Sequence, residues 1–533
     1  MSLLVPLLGC LLGSICLAQQ APTVDQDALR KALPVPGLEV TFGWTIGSNI
    51  LTDINPAEVP QRIAALRQRL HGTPQDAGIL VEIYDLQGKT DSADSSLLHR
   101  TVALAKARLS RAPRDAQAWL HLGMAHARLE RYKEAENALR RATQLAPRHW
   151  KAWLELGKVL QWQALRSLAE ASSVLPSQEE DASSAEQLQQ VSRRLQRMAV
   201  LMTKAEECMN RAVALAPQQP EVYHTRFTYR LLRNSFAAAF VAQRQQGEEV
   251  RIPELLTPDM SQDLAKLEAL QPGNPAVQAV RVFISLFRYL FGAGKEGIGW
   301  EQMSPQAREN YQQGIARLER LARSGERRQA TWALRHLATA RFFVKQFREQ
   351  SLADLRRAIV LAPQERENYE LLVTYLATIG REDEAIAECE RWLRMKEDAR
   401  AQVMLSKMLY DRGHAEKAKE HARKALRLAP RDIDANLLLA AYLLKEGQEL
   451  AQAQLLLNTV ATQMRESVPR EKRAHYLMQR GVLLALQGNL DGARQAVARA
   501  RELQPAAEEV DTLWGLLDGN AAPQTEPPQD VER

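Results

Sequence analysis

The chain has 533 residues, of which 45% are hydrophobic and 25% charged, with a formal net charge of +6. That is too long for one compact core and too ordinary in composition for global disorder. Its 53 Arg and 17 Lys are spread along the sequence with no basic stripe interleaved with aromatics, which excludes a nucleic-acid surface and assigns most of them to solvated outer faces of helices.

Residues 1–18 read as a signal peptide. Residues 2–18 carry no charge and end in Cys16-Leu17-Ala18, with polar Gln19 and Gln20 next. Small residues at Cys16 and Ala18 suit cleavage between Ala18 and Gln19, so the expected location is periplasmic or secreted, without a transmembrane anchor in the mature chain. No Lys or Arg precedes the run, as a start codon placed too late would explain. Leu7-Leu8-Gly9-Cys10 weakly resembles a lipoprotein box, but cutting there would leave apolar residues 11–18 at the mature end. In residues 19–54, Leu38, Val40, Phe42, Trp44 and Ile46 alternate with Glu39, Thr41, Gly43 and Thr45, the two-residue period of a strand. Such a strand either lies along the first repeats or pairs by edge addition with a partner or with a second copy, the latter making a homodimer.

Residues 55–250 form a first helical block. Helices are expected at 59–70, 77–86 and 95–113, and then a pattern sharpens. Arg141-Ala142-Thr143-Gln144-Leu145-Ala146-Pro147 returns in close form at 211–217, 357–363 and 424–430, each copy closing an Ala-rich helix that the proline stops. Pro113 and Pro147 lie 34 residues apart, and Pro363 and Pro430 lie 67 apart. Trp119, Leu122, Gly123, His126, Tyr132, Ala135, Leu139, Ala142 and Pro147 fall on the anchors of one such period, and here the sequence resembles the tetratricopeptide repeat (TPR) family. Gly123 and Ala135 are small so that two helices approach closely, while Trp119, Leu122 and Leu139 supply their core. A second repeat opens at Trp153, Leu156, Gly157 and Leu160 and closes at Ala205, Met209, Ala212 and Pro217, interrupted by a polar loop insertion near 172–185.

Residues 251–325 are an irregular helical middle, with one strongly apolar helix at 275–290. Residues 326–517 make a second TPR block of about five repeats, whose last helix, 508–517, caps the stack. Residues 518–533, rich in Pro, Gln and Glu, read as a disordered tail. The fold class is therefore all-α, a TPR-type solenoid of helical hairpins, which the resemblance makes a right-handed superhelix, with a short extended N-terminal segment.

Nothing in the sequence spells catalysis. It has no H-E-x-x-H, C-x-x-C or G-x-S-x-G, and Gly292-Ala293-Gly294-Lys295 is followed by Glu296 where a phosphate loop needs Ser or Thr. His121 and His126 stand five apart, on different faces of one helix, so no metal pair is expected, and no cofactor either. His126 reads as a core anchor, as do the buried cysteines Cys208 and Cys389, too far apart on a linear stack to bond. The TPR resemblance implies that the first helix of each hairpin lines a groove for a protein or peptide partner. Its inward positions here are Gln117, Leu120, Met124 and Ala127, then Lys151, Leu154, Lys158 and Gln161. Glu367, Glu370 and Thr374 follow, then Arg400, Val403, Lys407 and Tyr410, and last His475, Met478 and Val482. Leu120 and Met124 occupy the sites of the Lys and Asn with which chaperone-binding members clamp a terminal carboxylate. The expected function is a non-catalytic interaction scaffold of the cell envelope. The alternatives are an assembly or glycan-processing accessory that uses Trp44 and Trp300, and a cytoplasmic TPR adaptor if residues 1–18 stay on.

Overall fold

In the computed structural model, the described residues are 25–34, 58–88, 94–172, 185–244, 257–293, 296–447, 449–464, 468, 470–504 and 507–518. The signal peptide, the strand-like stretch, the loop at 173–184 and the tail lie outside them. The described residues form 23 α-helices and no strand, apart from one isolated bridge between Ile298 and Val344. They fall into two units: residues 40–392, and residues 393–533 together with 1–39.

The larger unit holds α2 (Val59–Gly72), α3 (Ala77–Gly88), α4 (Ser96–Arg111), α5 (Ala116–Arg128), α6 (Tyr132–Leu145), α7 (Trp150–Ser172), α8 (Ala185–Leu215) and α9 (Pro220–Arg244). It continues with α10 (Pro258–Leu270), α11 (Pro275–Ala293), α12 (Pro305–Ala322), α13 (Arg327–Phe342), α14 (Arg348–Leu361), α15 (Arg366–Thr378) and α16 (Glu382–Met395), inside which the boundary falls. The other unit contains α17 (Ala399–Asp411), α18 (Ala415–Leu428), α19 (Ile433–Glu446), α20 (Leu450–Ala461), α21 (Arg470–Leu486), α22 (Leu490–Leu503) and α23 (Glu508–Asp518), joined by the short α1 (Gln26–Ala32) from the other end of the chain. Each helix packs on its sequence neighbour from α2 to α15 in one unit and from α17 to α23 in the other, and first helices of successive hairpins also touch: α3 on α5, α5 on α7 and α7 on α9 in one, α17 on α19 and α19 on α21 in the other.

The repeat anchors show their physical work directly. A Cβ at Gly123 would stand 2.5 Å from Leu139 Cγ and 3.3 Å from the Ala135 carbonyl oxygen. Gly157 meets Met209 and the Ala205 carbonyl in the same way, and Gly481 meets Val497 and the Ala493 carbonyl. The contact of Gly123 lies 16 residues ahead and that of Gly157 52 ahead, so 36 extra residues leave the hairpin closure intact. Those extra residues lengthen α7 to 23 residues and α8 to 31.

A second device closes the turns between repeats. Trp119 Nε1 donates to the Pro113 carbonyl at 2.9 Å, Trp153 to Pro147 at 3.0 Å, the Tyr223 hydroxyl to Pro217 at 3.2 Å and Asn436 to Pro430 at 3.1 Å. Each donor is the sixth residue after its proline, so the side chain satisfies a carbonyl that the proline stop has orphaned. Trp119 is half-buried; beyond packing against the core, it clasps a turn.

The solvated-face reading of the arginines needs correction. Arg230 lies buried between α8, α9 and α10, donating to Glu206 at 2.9 Å and to Asp263 at 3.0 Å, while Arg226 also donates to Asp263 at 3.1 Å. Arg341 joins Asp354 at 2.6 Å and also pairs with Glu319, and Arg128 joins Asp85 and Glu155. A planar guanidinium can bridge two carboxylates from different helices, which a lysine does less well. These pairs tie neighbouring helices together, Arg128 doing so beside the repeats anchored by Gly123 and Gly157. In the irregular middle, residues 296–302 are pinned by Ile298 N to the Phe343 carbonyl at 2.8 Å and by Lys345 N to the Ile298 carbonyl at 2.9 Å. Trp300 packs edge-on against Tyr311 and Phe347. Cys208 and Cys389 are buried thiols that form no disulfide, with burial pushing the Cys208 thiol up to about 11, and His126 is a core residue, 6% exposed.

Helix interiors ordinarily favour Ala over Gly by about 1 kcal/mol. Gly123→Ala and Gly481→Ala are nevertheless expected to destabilise by about 1–3 kcal/mol, because the methyl group overpacks a closed contact. Gly515→Ala, in a helix with open space around it, should stabilise by a few tenths to about 1 kcal/mol. Urea midpoints of the three variants check the difference in sign.

Candidate partner-binding cleft

The first-helix face of the larger unit opens into a cleft of about 860 Å³. One wall comes from Arg69, the turn at 73–76 and the start of α3. The other comes from Gln117, Leu120, His121 and Met124 on α5, with His149 and Lys151 at the start of α7. The local sequence builds both walls alike. Asp76 accepts hydrogen bonds from the amides of Gly78 and Ile79 at 2.9 and 3.1 Å and starts α3. Asp115 accepts from Gln117 and Ala118, both at 3.0 Å, and starts α5. Burial opposes ionisation of Asp115, but the Ala118 amide and the Arg108 guanidinium outweigh it and hold its carboxyl below the usual range.

Gly78 is the residue that lets the walls meet, since a Cβ there would stand 2.8 Å from His121 Nε2. The same nitrogen lies 2.9 Å from Gln117 Nε2. Burial lowers the His121 pKa below its ordinary value of 6.5, against the opposing pull of Asp76, so the ring is neutral at pH 7. Beside it, His149 Nδ1 is buried without a hydrogen-bond partner. Arg69, Arg108 and Lys151 are balanced by Asp76, Glu82 and Asp85, and the apolar floor is Leu104, Leu120 and Met124. The arrangement can seat a polypeptide segment with an apolar side chain between polar shoulders.

Of the residues expected from the sequence to face a partner, the structure gathers Gln117, Leu120, Met124 and Lys151 around this one cleft. Lys151 and Lys158 both approach Glu221, at 3.6 and 3.3 Å, and Lys158 also donates to Glu155 at 3.0 Å. Leu154, Val403 and Met478 depart from the expectation: each is at most 1% exposed and serves the chain's own core, so none presents surface here. Tyr410 stacks on Tyr442 with ring centroids 4.4 Å apart. Sequence reasoning missed the α2–α3 wall, although Asp76 two residues before Gly78 echoes Asp115 two before Gln117.

The smaller unit gathers Arg400 and Lys407 around Asp434. Arg400 and Lys472 each lie 2.7 Å from its carboxylate. Burial opposes its ionisation, but Lys472, Arg400 and Lys407 hold Asp434 down to about 2. Burial pushes Lys407 down to about 8, with Asp434 opposing and Arg400 and Lys472 adding to the shift.

Face-stacked helical hairpins define the class: a repeat protein that displays its first helices. Residues 116–159, in one unit, and residues 399–432, in the other, match models of the tetratricopeptide repeat, and the chain carries these repeats. Among solved structures, yeast Tom70 is similar at 14% identity over 87% of this chain and 92% of that one, with a TM-score of 0.40. YrrB, a TPR protein with an unusual peptide-binding site, is 22% identical over 33% and 88%, with a TM-score of 0.27. Pseudomonas aeruginosa pilF is 18% identical over 44% and 95%, with a TM-score of 0.30. No curated protein matches the chain in sequence.

The folded chain holds the Lys407 proton less firmly than the unfolded chain does. Charged Lys407 therefore opposes folding below about pH 8, and the penalty fades as pH rises toward the ordinary 10.5. Lys407→Met should melt above the parent at pH 7, with the gap closing through that window; thermal melts at pH 7, 9 and 10.5 measure it.

Proposed function

We propose that the protein is a non-catalytic scaffold of the cell envelope that docks a segment of a partner protein in the cleft over α3, α5 and α7. The observation that carries this reading is the convergence of four first-helix positions, Gln117, Leu120, Met124 and Lys151, on a single cleft. A Leu or Met fully covered by a partner contributes roughly 1.5–3 kcal/mol, and an exposed ion pair about 0–1 kcal/mol. Leu120 and Met124 are already 2% and 7% exposed, so the floor gives the cleft its shape, and the more exposed Arg69, Gln117 and Lys151 offer most of the surface a segment can cover. Envelope location rests on the uncharged run at 2–18 and its Ala18-Gln19 junction. No helix among the described residues is long and apolar enough to cross a membrane. Trp300 gives no support to a glycan-binding accessory, because its ring is committed to Tyr311 and Phe347; Trp44 lies outside the described residues.

The test is capture from an envelope extract by the chain from Gln19, beside Gln117→Trp, which fills the cleft from an exposed position, and Val360→Lys on the exposed face of α14. A partner held by the parent and by Val360→Lys, but at least tenfold weaker on Gln117→Trp, supports the cleft. Equal capture by all three moves the site elsewhere. Intact mass of the exported chain checks location: a start at Gln19 is expected, and a start at Met1 contradicts export.

A further inference from the structure

The first-helix face of the smaller unit already carries an occupant. Helix α1, seven residues long, packs on α19, α21 and α23, more than 400 residues away in sequence. Asp25 caps it, accepting from the amides of Asp27 and Ala28 at 2.9 and 3.1 Å. Leu29 and Leu33, both 0% exposed, join the same apolar cluster as Met478 and Val482, two residues expected from the sequence to face a ligand. Ala32 packs against that cluster, while Asp27 and Lys31 face solvent. This is an amphipathic helix laid in a groove by residues i, i+3 and i+4.

The polar contacts of this seat are aimed at main chain. Lys445 Nζ donates to the Lys31 carbonyl at 3.1 Å, at the C-terminal end of α1 where carbonyls are orphaned. Arg30 reaches back to the Glu446 carbonyl at 3.4 Å. Its guanidinium lies where any side chain at Gly447 would stand, and Gly447 itself has φ +67°, which closes α19. The seat therefore reads three things: two leucines four residues apart, a basic residue just after the first, and the carbonyl end of a short helix. None of these is peculiar to a segment of the same chain.

We infer that the α19–α21–α23 face is a second docking site, for a partner protein that presents a short amphipathic helix of this pattern, and that α1 is its tethered, displaceable occupant. A seven-residue helix has little stability of its own, so α1 holds its place by covalent attachment, which makes its local concentration high, more than by affinity. An outside helix binds when its own affinity exceeds that advantage. The inference extends the scaffold reading to a different unit and does not depend on the cleft over α3, α5 and α7.

The experiment uses the full chain and a dye-labelled peptide of residues 25–34, followed by fluorescence anisotropy. Leu29→Asp/Leu33→Asp releases α1 and should bind the peptide at least tenfold more tightly than the parent, while a peptide carrying both Asp substitutions should not bind. Equal binding by parent and variant, or equal binding of the two peptides, overturns the inference. Should the double variant lose its helical signal, Leu29→Ala replaces it: hydrogen exchange in α19 and α21 should quicken and return to the parent rate when the peptide is added. Exchange unchanged by the substitution, or unrestored by the peptide, overturns the inference. A chain that light scattering shows to be dimeric through α1 would also overturn it, assigning the seat to a second copy.

Discussion

At Gly123 and Gly481 a methyl group on the first helix would stand 2.5 Å from Leu139 Cγ and 2.6 Å from Val497 Cγ2, at Gly157 it would stand 3.0 Å from Met209 Cγ, and the carbonyls of Ala135, Ala493 and Ala205 lie only 3.2–3.3 Å away. The backbone approach fixes which face of each first helix turns toward its partner and which is left for the next hairpin. With the face of α5, α7 and α21 fixed in this way, each lies beside the first helix before it, and α3, α9, α17 and α19 take their places in the same stacks. Display of the first helices is thus a consequence of hairpin closure. It also explains why 36 residues inserted between Gly157 and Met209 are harmless: the contact that matters is between helices, and loop closure costs grow slowly with length.

Charge also ties helices together, at greater distance. Arg230 between Glu206 and Asp263 links α8, α9 and α10, and Arg341 between Glu319 and Asp354 links α12, α13 and α14. A buried guanidinium needs its carboxylates, so these pairs specify register even where their net stabilisation is small. The two modes overlap along the chain: Arg128 pairs with Asp85 and Glu155 beside the Gly123 and Gly157 contacts, and Gly314 closes on Val282 in the irregular middle.

Much of this was legible in the sequence. Proline spacing, Gly-to-Ala spacing and the Ala-rich closing helices are local signals, and they name the hairpins between residues 116 and 504 well. Less was legible about surface. Repeat position says which way Leu154, Val403 and Met478 point, but whether the chain covers them itself depends on neighbours that sequence position does not reveal. The wall formed by α2 and α3 carries no Gly-to-Ala signature; only its capping Asp76 and small Gly78 mark it. Helix α1 was the least visible, because seven residues with two leucines give too short a period to recognise, and its partners lie at the other end of the chain. The arginine excess was seen but misread, since composition counts charges without saying which carboxylates enclose them.

If hairpin closure is the constraint on which the rest depends, the two helices of a hairpin must lose protection together. Amide hydrogen exchange of the intact chain, read by mass spectrometry across α5–α6, α7–α8 and α21–α22, tests this most directly. The account predicts that the amides around Gly123, Gly157 and Gly481 are among the slowest in their units, and that each first helix opens with its own second helix as denaturant is raised. First helices that exchange independently of the second helices they touch would contradict it.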